Sequence, residues 1–423
     1  MYSLKYLNQN ISDGIAEFNN NKSFSHLVKD KKLLKAALMM VIALIIFPLW
    51  LLPIIKYQQN IRLLKKLLKK EKYKIKLFVD ERNEKMNVEL TKGQLLDENG
   101  ELSQAGYAFS LIKEYNRKQI KGLKWRIKEW DYYAILKDDY GIALTVADNS
   151  YMSLVSVSFL DFVNKKYVTK SHIDWLTFGK LNLPQSSKIG GINYQKKDYL
   201  FSFANNGTYR TIKVKYPKFI NDDDFTCDIV LTPKASDSIV VAIPFFKKGH
   251  FYYNQKINCL LAQGFFKIGN KEYSLDSASG VLDWGRGVWT YKNTWYWSSL
   301  SVVNEKETKG FNLGYGFGDT TKGSENVVFC NGKAYKLDDC LFNIPKNNGK
   351  LDYLKPWRIT SSDLSINLIF TPIIDRVDCT DVLLIASKQH QVFGKFKGTI
   401  KVKDLIIEFN DELGFAERVY NKW

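Results

Sequence analysis

From about Val79 to the C-terminus, short aromatic and β-branched runs alternate with Asn-Gly, Gly-Asn and Asp-rich turns, and no long amphipathic helix interrupts them. This alternation directs the chain towards an antiparallel sandwich or barrel, because strands joined by tight turns pair with their sequence neighbours. The runs 142–146, 151–159, 199–203, 225–231, 295–303, 311–317 and 366–370 are the clearest predicted strands. Twenty-four tyrosines and 26 phenylalanines suit a pleated, half-buried surface. At 423 residues the chain exceeds one ordinary core and implies two or three units.

An internal repeat divides it. Shifted by 134 positions, Gly264 meets Gly398, Lys267 meets Lys401, Gly280 meets Gly414, Asp283 meets Glu417 and Trp289 meets Trp423. Upstream, with small gaps, Phe225-Thr-Cys-Asp-Ile-Val-Leu-Thr-Pro233 parallels Leu364-Ser-Ile-Asn-Leu-Ile-Phe-Thr-Pro372. Trp130-Asp-Tyr132 likewise parallels Trp295-Tyr-Trp297. Two related β units follow, residues 85–289 and 290–423, each closing on a strand that carries an acid and then a tryptophan.

The net charge of +18 raises two classes of partner, nucleic acid and an anionic membrane. Its distribution favours the membrane. Nine basic residues against Glu71 alone lie between Lys56 and Lys76, directly after the twenty uncharged residues 36–55. A helix of that length spans roughly 30 Å, the hydrocarbon thickness of a bilayer. Pro48 and Pro53 would kink it, so a tilted or re-entrant insertion fits as well. Residues 56–80 read as a basic amphipathic linker helix, with Leu63, Leu64, Leu67 and Leu68 on one face for anionic lipid. Residues 1–35 form an N-terminal tail, cytosolic or external. The larger basic flank places the β units in the cytoplasm. Five widely spaced cysteines, an odd number with no paired motif, agree with that compartment.

Asp283-Trp-Gly-Arg-Gly-Val-Trp289 is the densest candidate site, with Trp295 and Trp297 close behind. The glycines around Arg286 read as a tight turn, and Asp283 with Arg286 as an acid–arginine pair on the floor of an aromatic pocket. A structural pair pinning a turn accounts for the same residues. Glu417 stands at the repeat-equivalent place of Asp283, and His390 lies between Gln389 and Gln391. Asp283, Glu417 and His390 are therefore the candidate acid–base groups. Arg286, Trp289, Trp295, Trp297, Asn312 and Trp357 are the candidate ligand contacts. Asn312, Gly314, Gly316 and Gly318 share one face of a strand, leaving space for a bulky neighbour or a ligand. The histidines are isolated, so no zinc pattern emerges. Neither a Gly-x-Ser-x-Gly elbow nor a phosphate loop occurs, and no metal or cofactor is expected.

The stretches 283–289, 310–319, 355–358, 389–394 and 414–423 together resemble the bacterial and fungal family known as domain of unknown function 2804. The resemblance covers about residues 86–423 and leaves the apolar segment outside. It brings no activity with it. More distantly, the two-unit plan resembles lipocalin-like proteins that include carotenoid hydratase and certain fungal cyclases. That resemblance implies two tandem antiparallel β-barrels and a hydrophobic ligand held within or between them. Three functions stay open at this level. They are a membrane-anchored binder of a lipid or isoprenoid-like molecule, a hydratase, isomerase or cyclase using acid–base carboxylates, and a structural membrane-associated protein.

Overall fold

The computed structural model describes residues 87–422, apart from Leu123, Leu383 and Leu384. The tail 1–35, the apolar segment 36–55 and the basic run 56–80 lie outside the described residues. Among those described, no helix is long and apolar enough to cross a membrane.

Two large antiparallel sheets, each curled into a half-barrel, account for most of the described chain. In the first, ten strands follow one another across the sheet. They are Lys166–Trp175, Met152–Asp161, Tyr140–Asp148, Ile127–Lys137, Ser279–Val288, Phe251–Ile268, Asp223–Pro233, Arg210–Ile220, Tyr199–Asn205 and Gly190–Lys196. The two end strands meet through side chains rather than a backbone ladder. Tyr194 donates to Asp174 at 2.8 Å and Lys196 pairs with the same carboxylate, while His172 stacks at 4.5 Å on Tyr199 of the penultimate strand. The second sheet runs Lys333–Lys336, Val327–Cys330, Thr308–Tyr315, Lys292–Val303, Leu405–Lys422, Ile385–Val402, Ile366–Val382, Trp357–Ser361 and Cys340–Asn343. The chain passes from one sheet to the other between Val288 and Lys292.

The outer strands show the alternation expected of a sheet wet on one side. In Asp223–Pro233, Phe225, Cys227, Ile229 and Leu231 are buried, and the residues between them are more open. Ile127–Lys137, Ser279–Val288 and the first half of Phe251–Ile268 instead bury nearly every residue. One of their faces lines the first half-barrel, and the other packs against the second. Each half-barrel is filled by its own core, around Trp284 and Tyr253 in the first and around Trp357 and Phe370 in the second. Two further apolar clusters join the half-barrels, one around Tyr252, Trp289 and Phe329, the other around Tyr132, Trp297 and Phe415.

Two expectations need correction. Not all the strands are short: Phe251–Ile268, Ile385–Val402 and Leu405–Lys422 are each 18 residues long. A long strand can curl with its sheet only by bending, and Phe251–Ile268 does so where its register shifts beside Cys259, whose φ is 57°. The 283–289 motif is no turn either. Residues 283 to 288 run straight through the Ser279–Val288 strand, paired on both sides. Its glycines serve close approach instead, and a Cβ at Gly285 would overlap the ring of Trp130.

Candidate functional site

A strand presents alternate residues to opposite faces, so Asp283 and Trp289 face the second half-barrel while Trp284 and Arg286 face the interior of the first. On that outward face Asp283 stands opposite Tyr132 on one neighbouring strand and Lys256 on the other. Glu417 stands opposite Trp297 and Gln391 in the second sheet. The two carboxylates thus occupy matching positions in matching strand triplets. The aromatic partners touch each other, with the rings of Tyr132 and Trp297 edge to face at 6.0 Å.

Four ionisable groups converge there. Lys256, 3% exposed, places its Nζ 2.8 Å from Asp283 Oδ2, 3.9 Å from Glu325 Oε2 and 3.8 Å from the centre of the Trp297 ring. The ammonium therefore gains an ion pair and a π face in place of water. Asn254 donates to Asp283 Oδ1 at 2.5 Å and holds that carboxylate from the other side. Trp297 Nε1 donates to Asn312 Oδ1 at 2.7 Å, and Asn312 donates to the Glu325 backbone carbonyl at 2.9 Å. Glu325 reaches the cluster because Gly314 has no side chain, since a Cβ there would overlap its carboxylate.

Glu417 has different company. Trp295 Nε1 donates to its Oε1 at 3.1 Å, and Gln391 Nε2 donates to its Oε2 at 3.0 Å. Gln391 is itself oriented by Tyr132 Oη at 3.0 Å and by Arg376 at 2.5 Å, both donating to its Oε1. Burial outweighs the Trp295 hydrogen bond and the more distant positive charges of Lys256 and Arg376, lifting the Glu417 pKa from the ordinary 4.5 to about 7. Glu325 is also pushed up, first by burial and then by the charge of Asp283, with Lys256 opposing. Burial raises the Tyr132 hydroxyl to about 12, so it is a donor at neutral pH. The arrangement holds one compensated ion pair beside a carboxyl that titrates near neutrality. Among the described residues, no group of acids, histidines and cysteines could hold a metal ion.

The sequence-predicted residues distribute unevenly over this site. Asp283, Glu417, Trp295, Trp297 and Asn312 are in it. Trp289 lies alongside, edge-on to Trp295 at 5.8 Å and to Trp130 at 5.1 Å. Arg286 is not the partner of Asp283. It is wholly buried on the opposite face and pairs with Asp131 at 3.0 Å, and its two terminal nitrogens also donate to the Trp130, Gly285 and Pro184 carbonyls. His390 is also turned away. Its Nδ1 meets Asp375 Oδ2 at 2.8 Å, and its ring stacks on Tyr353 at 3.8 Å. Trp357 belongs to the second core, where it donates to the Tyr353 carbonyl. Sequence reasoning missed Lys256, which stands among Asn254, Gln255 and Asn258 in a polar stretch that gives no sign of burial. It also missed the role of Gln391, which the odd spacing from His390 separates by face.

The sequence matches none of the curated proteins with which it was compared. Among solved structures, an AttH-like protein of Nitrosomonas europaea is 13% identical, with a TM-score of 0.42 over 72% of this chain and 95% of its own. Kievitone hydratase from Nectria haematococca is 12% identical, with a TM-score of 0.40 over 70% and 88%. CghA, solved with Sch210972, is 10% identical, with a TM-score of 0.45 over 79% and 97%. The decisive match is to a sequence family: residues 87–423 fit the model described as domain of unknown function (DUF2804), and the chain belongs to that family.

Proposed function

We propose that this protein carries out acid–base chemistry on a hydrophobic molecule at the contact between its half-barrels. Glu417 supplies the proton, and Asp283, paired with Lys256 at 2.8 Å, receives one. The observation that carries this reading is three carboxylates gathered with one ammonium inside an aromatic contact. Burying such groups costs several kcal/mol each, roughly, and an apolar contact would serve stability as well. A carboxyl with a pKa of about 7 is half protonated at neutral pH, which suits it to give and take a proton. In an isomerisation, Glu417 protonates one carbon of a double bond while Asp283 removes a proton from the carbon next to the cationic centre. The double bond shifts, and solvent resets both acids. In a hydration, water adds to the cationic carbon and gives its proton to Asp283.

The walls of Trp289, Trp295 and Phe317 also support simple retention of a hydrophobic ligand, which the chemical reading includes as its first step. The apolar segment 36–55 and the basic run after it would tether the half-barrels to the cytoplasmic side of an anionic membrane, where such ligands reside. Retention of the full chain in carbonate-washed membranes tests the tether. For the chemistry, full-length protein is incubated in D2O with a total lipid extract, and carbon-bound deuterium is followed by mass spectrometry. Incorporation with the natural protein, and at least a hundredfold less with Glu417→Gln, is expected. Equal incorporation by natural protein and folded Glu417→Gln refutes the reading.

A further inference from the structure

A groove of about 360 Å³ opens between the half-barrels, lined on its inner side by Ala134, Val281, Ser299 and Phe415. Each of these lies two residues along its strand from a member of the charged cluster or its aromatic cover. Ala134 follows Tyr132, Val281 precedes Asp283, Ser299 follows Trp297, and Phe415 precedes Glu417. Residues two apart share a face, so the groove and the buried acids are successive stretches of one surface. Four strands contribute in parallel, and no element intervenes in any of them. Aromatic side chains mark the boundary. Phe415 packs edge-on against Trp297 at 4.8 Å, and Lys256 stands over the Trp297 ring.

The volume is at the lower end of the roughly 300–1,000 Å³ usual for small-molecule pockets. Its inner lining is apolar apart from Ser299, whose hydroxyl is already engaged by Asn258 at 2.8 Å. The rim carries both signs, with Lys137 and Lys395 among Asp138, Asp411 and Glu412, a mixture that disfavours an anionic head group. Resting on the acid–base reading above, we infer that this groove is the ligand-binding arm of that site. Its ligand is an elongated, uncharged, mostly apolar molecule. Trp297 and Phe415 form the gate through which its reactive end reaches Glu417.

The test uses the full chain in lipid nanodiscs with a diazirine-bearing long-chain primary alcohol as the probe. Photolabelling is expected on peptides carrying Ala134, Val281 and Phe415. Ser301→Trp, half-buried on the groove's outer part, should reduce that labelling at least fivefold per folded molecule; it also removes the hydroxyl that accepts from the Cys259 N–H at 2.9 Å, so a lower melting temperature is expected and labelling is read on the folded fraction. Phe415→Ala should extend the label to the peptide carrying Lys256. Labelling spread over the surface and indifferent to Ser301→Trp overturns the groove. Equal labelling by the corresponding fatty acid overturns the uncharged class. The two readings also fail separately. Groove labelling without deuterium incorporation into any lipid removes the chemistry and leaves the binding arm. Incorporation without labelling sensitive to Ser301→Trp removes the arm and leaves the chemistry.

Discussion

The two halves of the site put a carboxylate in the same place and treat it in opposite ways. Asp283 lies between Tyr132 and Lys256, and Glu417 between Trp297 and Gln391. In the first triplet an ammonium at 2.8 Å balances the charge. In the second an amide and an indole donate hydrogen bonds but bring no charge, and burial wins. The next strand out differs as well. Thr145 pairs with Tyr132, but Gly314 pairs with Trp297, and only the glycine admits a further acid, Glu325. Matching scaffolds with unlike third residues therefore give two carboxylates different surroundings, one paired with an ammonium and the other hydrogen-bonded without a charge.

The largest expected effect comes from removing the one charge that distinguishes the triplets. Lys256→Met leaves Asp283 and Glu325 buried without their cation and should cost about 3–5 kcal/mol of unfolding free energy in urea titrations. Gln391→Leu, at the corresponding place, should cost only about 1–3 kcal/mol. Equal losses would show that the charge difference between the halves has no energetic weight.

A second test reads the Glu417 carboxyl itself. Below pH 4.5 it is protonated in both the folded and the unfolded chain. Between 4.5 and about 7 the unfolded chain releases this proton and the folded one keeps it, so folding stability falls as pH rises. The loss amounts to roughly 3 kcal/mol and is complete above about pH 7. Glu417→Gln should abolish this slope, measured by denaturant titration from pH 4 to 8. A variant that keeps the full slope would assign it to another group and erase the contrast with Asp283.

Smaller again is the effect of filling the space left by glycine. Gly314→Ala forces the Glu325 carboxylate to move, which a flexible side chain can do, at a cost of about 1–3 kcal/mol. It should also weaken the deuterium incorporation expected of the natural protein, because Glu325 leaves the cluster. Full activity with a displaced Glu325 would return the site to two acids.

The alternation of runs and turns made the antiparallel architecture legible, because it reports a backbone habit repeated in every strand. The pairing of Asp283 with Arg286 misled because sequence proximity was read as contact. Their odd spacing within a strand already places them on opposite faces. The same rule separates His390 from Gln391. Lys256 was harder to place. Its meeting with Asp283 depends on the register of two strands, one of which bulges beside Cys259. Glu325 comes from outside the paired strands and is admitted by a missing side chain, which no periodicity reports.

The finest test concerns the one hydrogen bond that crosses directly between the triplets. Tyr132 of the first half donates to Gln391 of the second, and Gln391 in turn donates to Glu417. The Tyr132 hydroxyl keeps its proton at neutral pH, so Tyr132→Phe removes a neutral donor and should cost about 1 kcal/mol. Arg376 still donates to the same Gln391 oxygen at 2.5 Å, and the amide should keep its NH2 turned towards Glu417. The pH at which Glu417 titrates, followed by its carboxyl infrared band, should therefore stay within a few tenths of a unit. A fall of a full unit would mean that the amide rotates or water enters once the hydroxyl is gone. In that case Tyr132, not the buried second half alone, sets the protonation of Glu417, and the two triplets must be treated as one coupled unit.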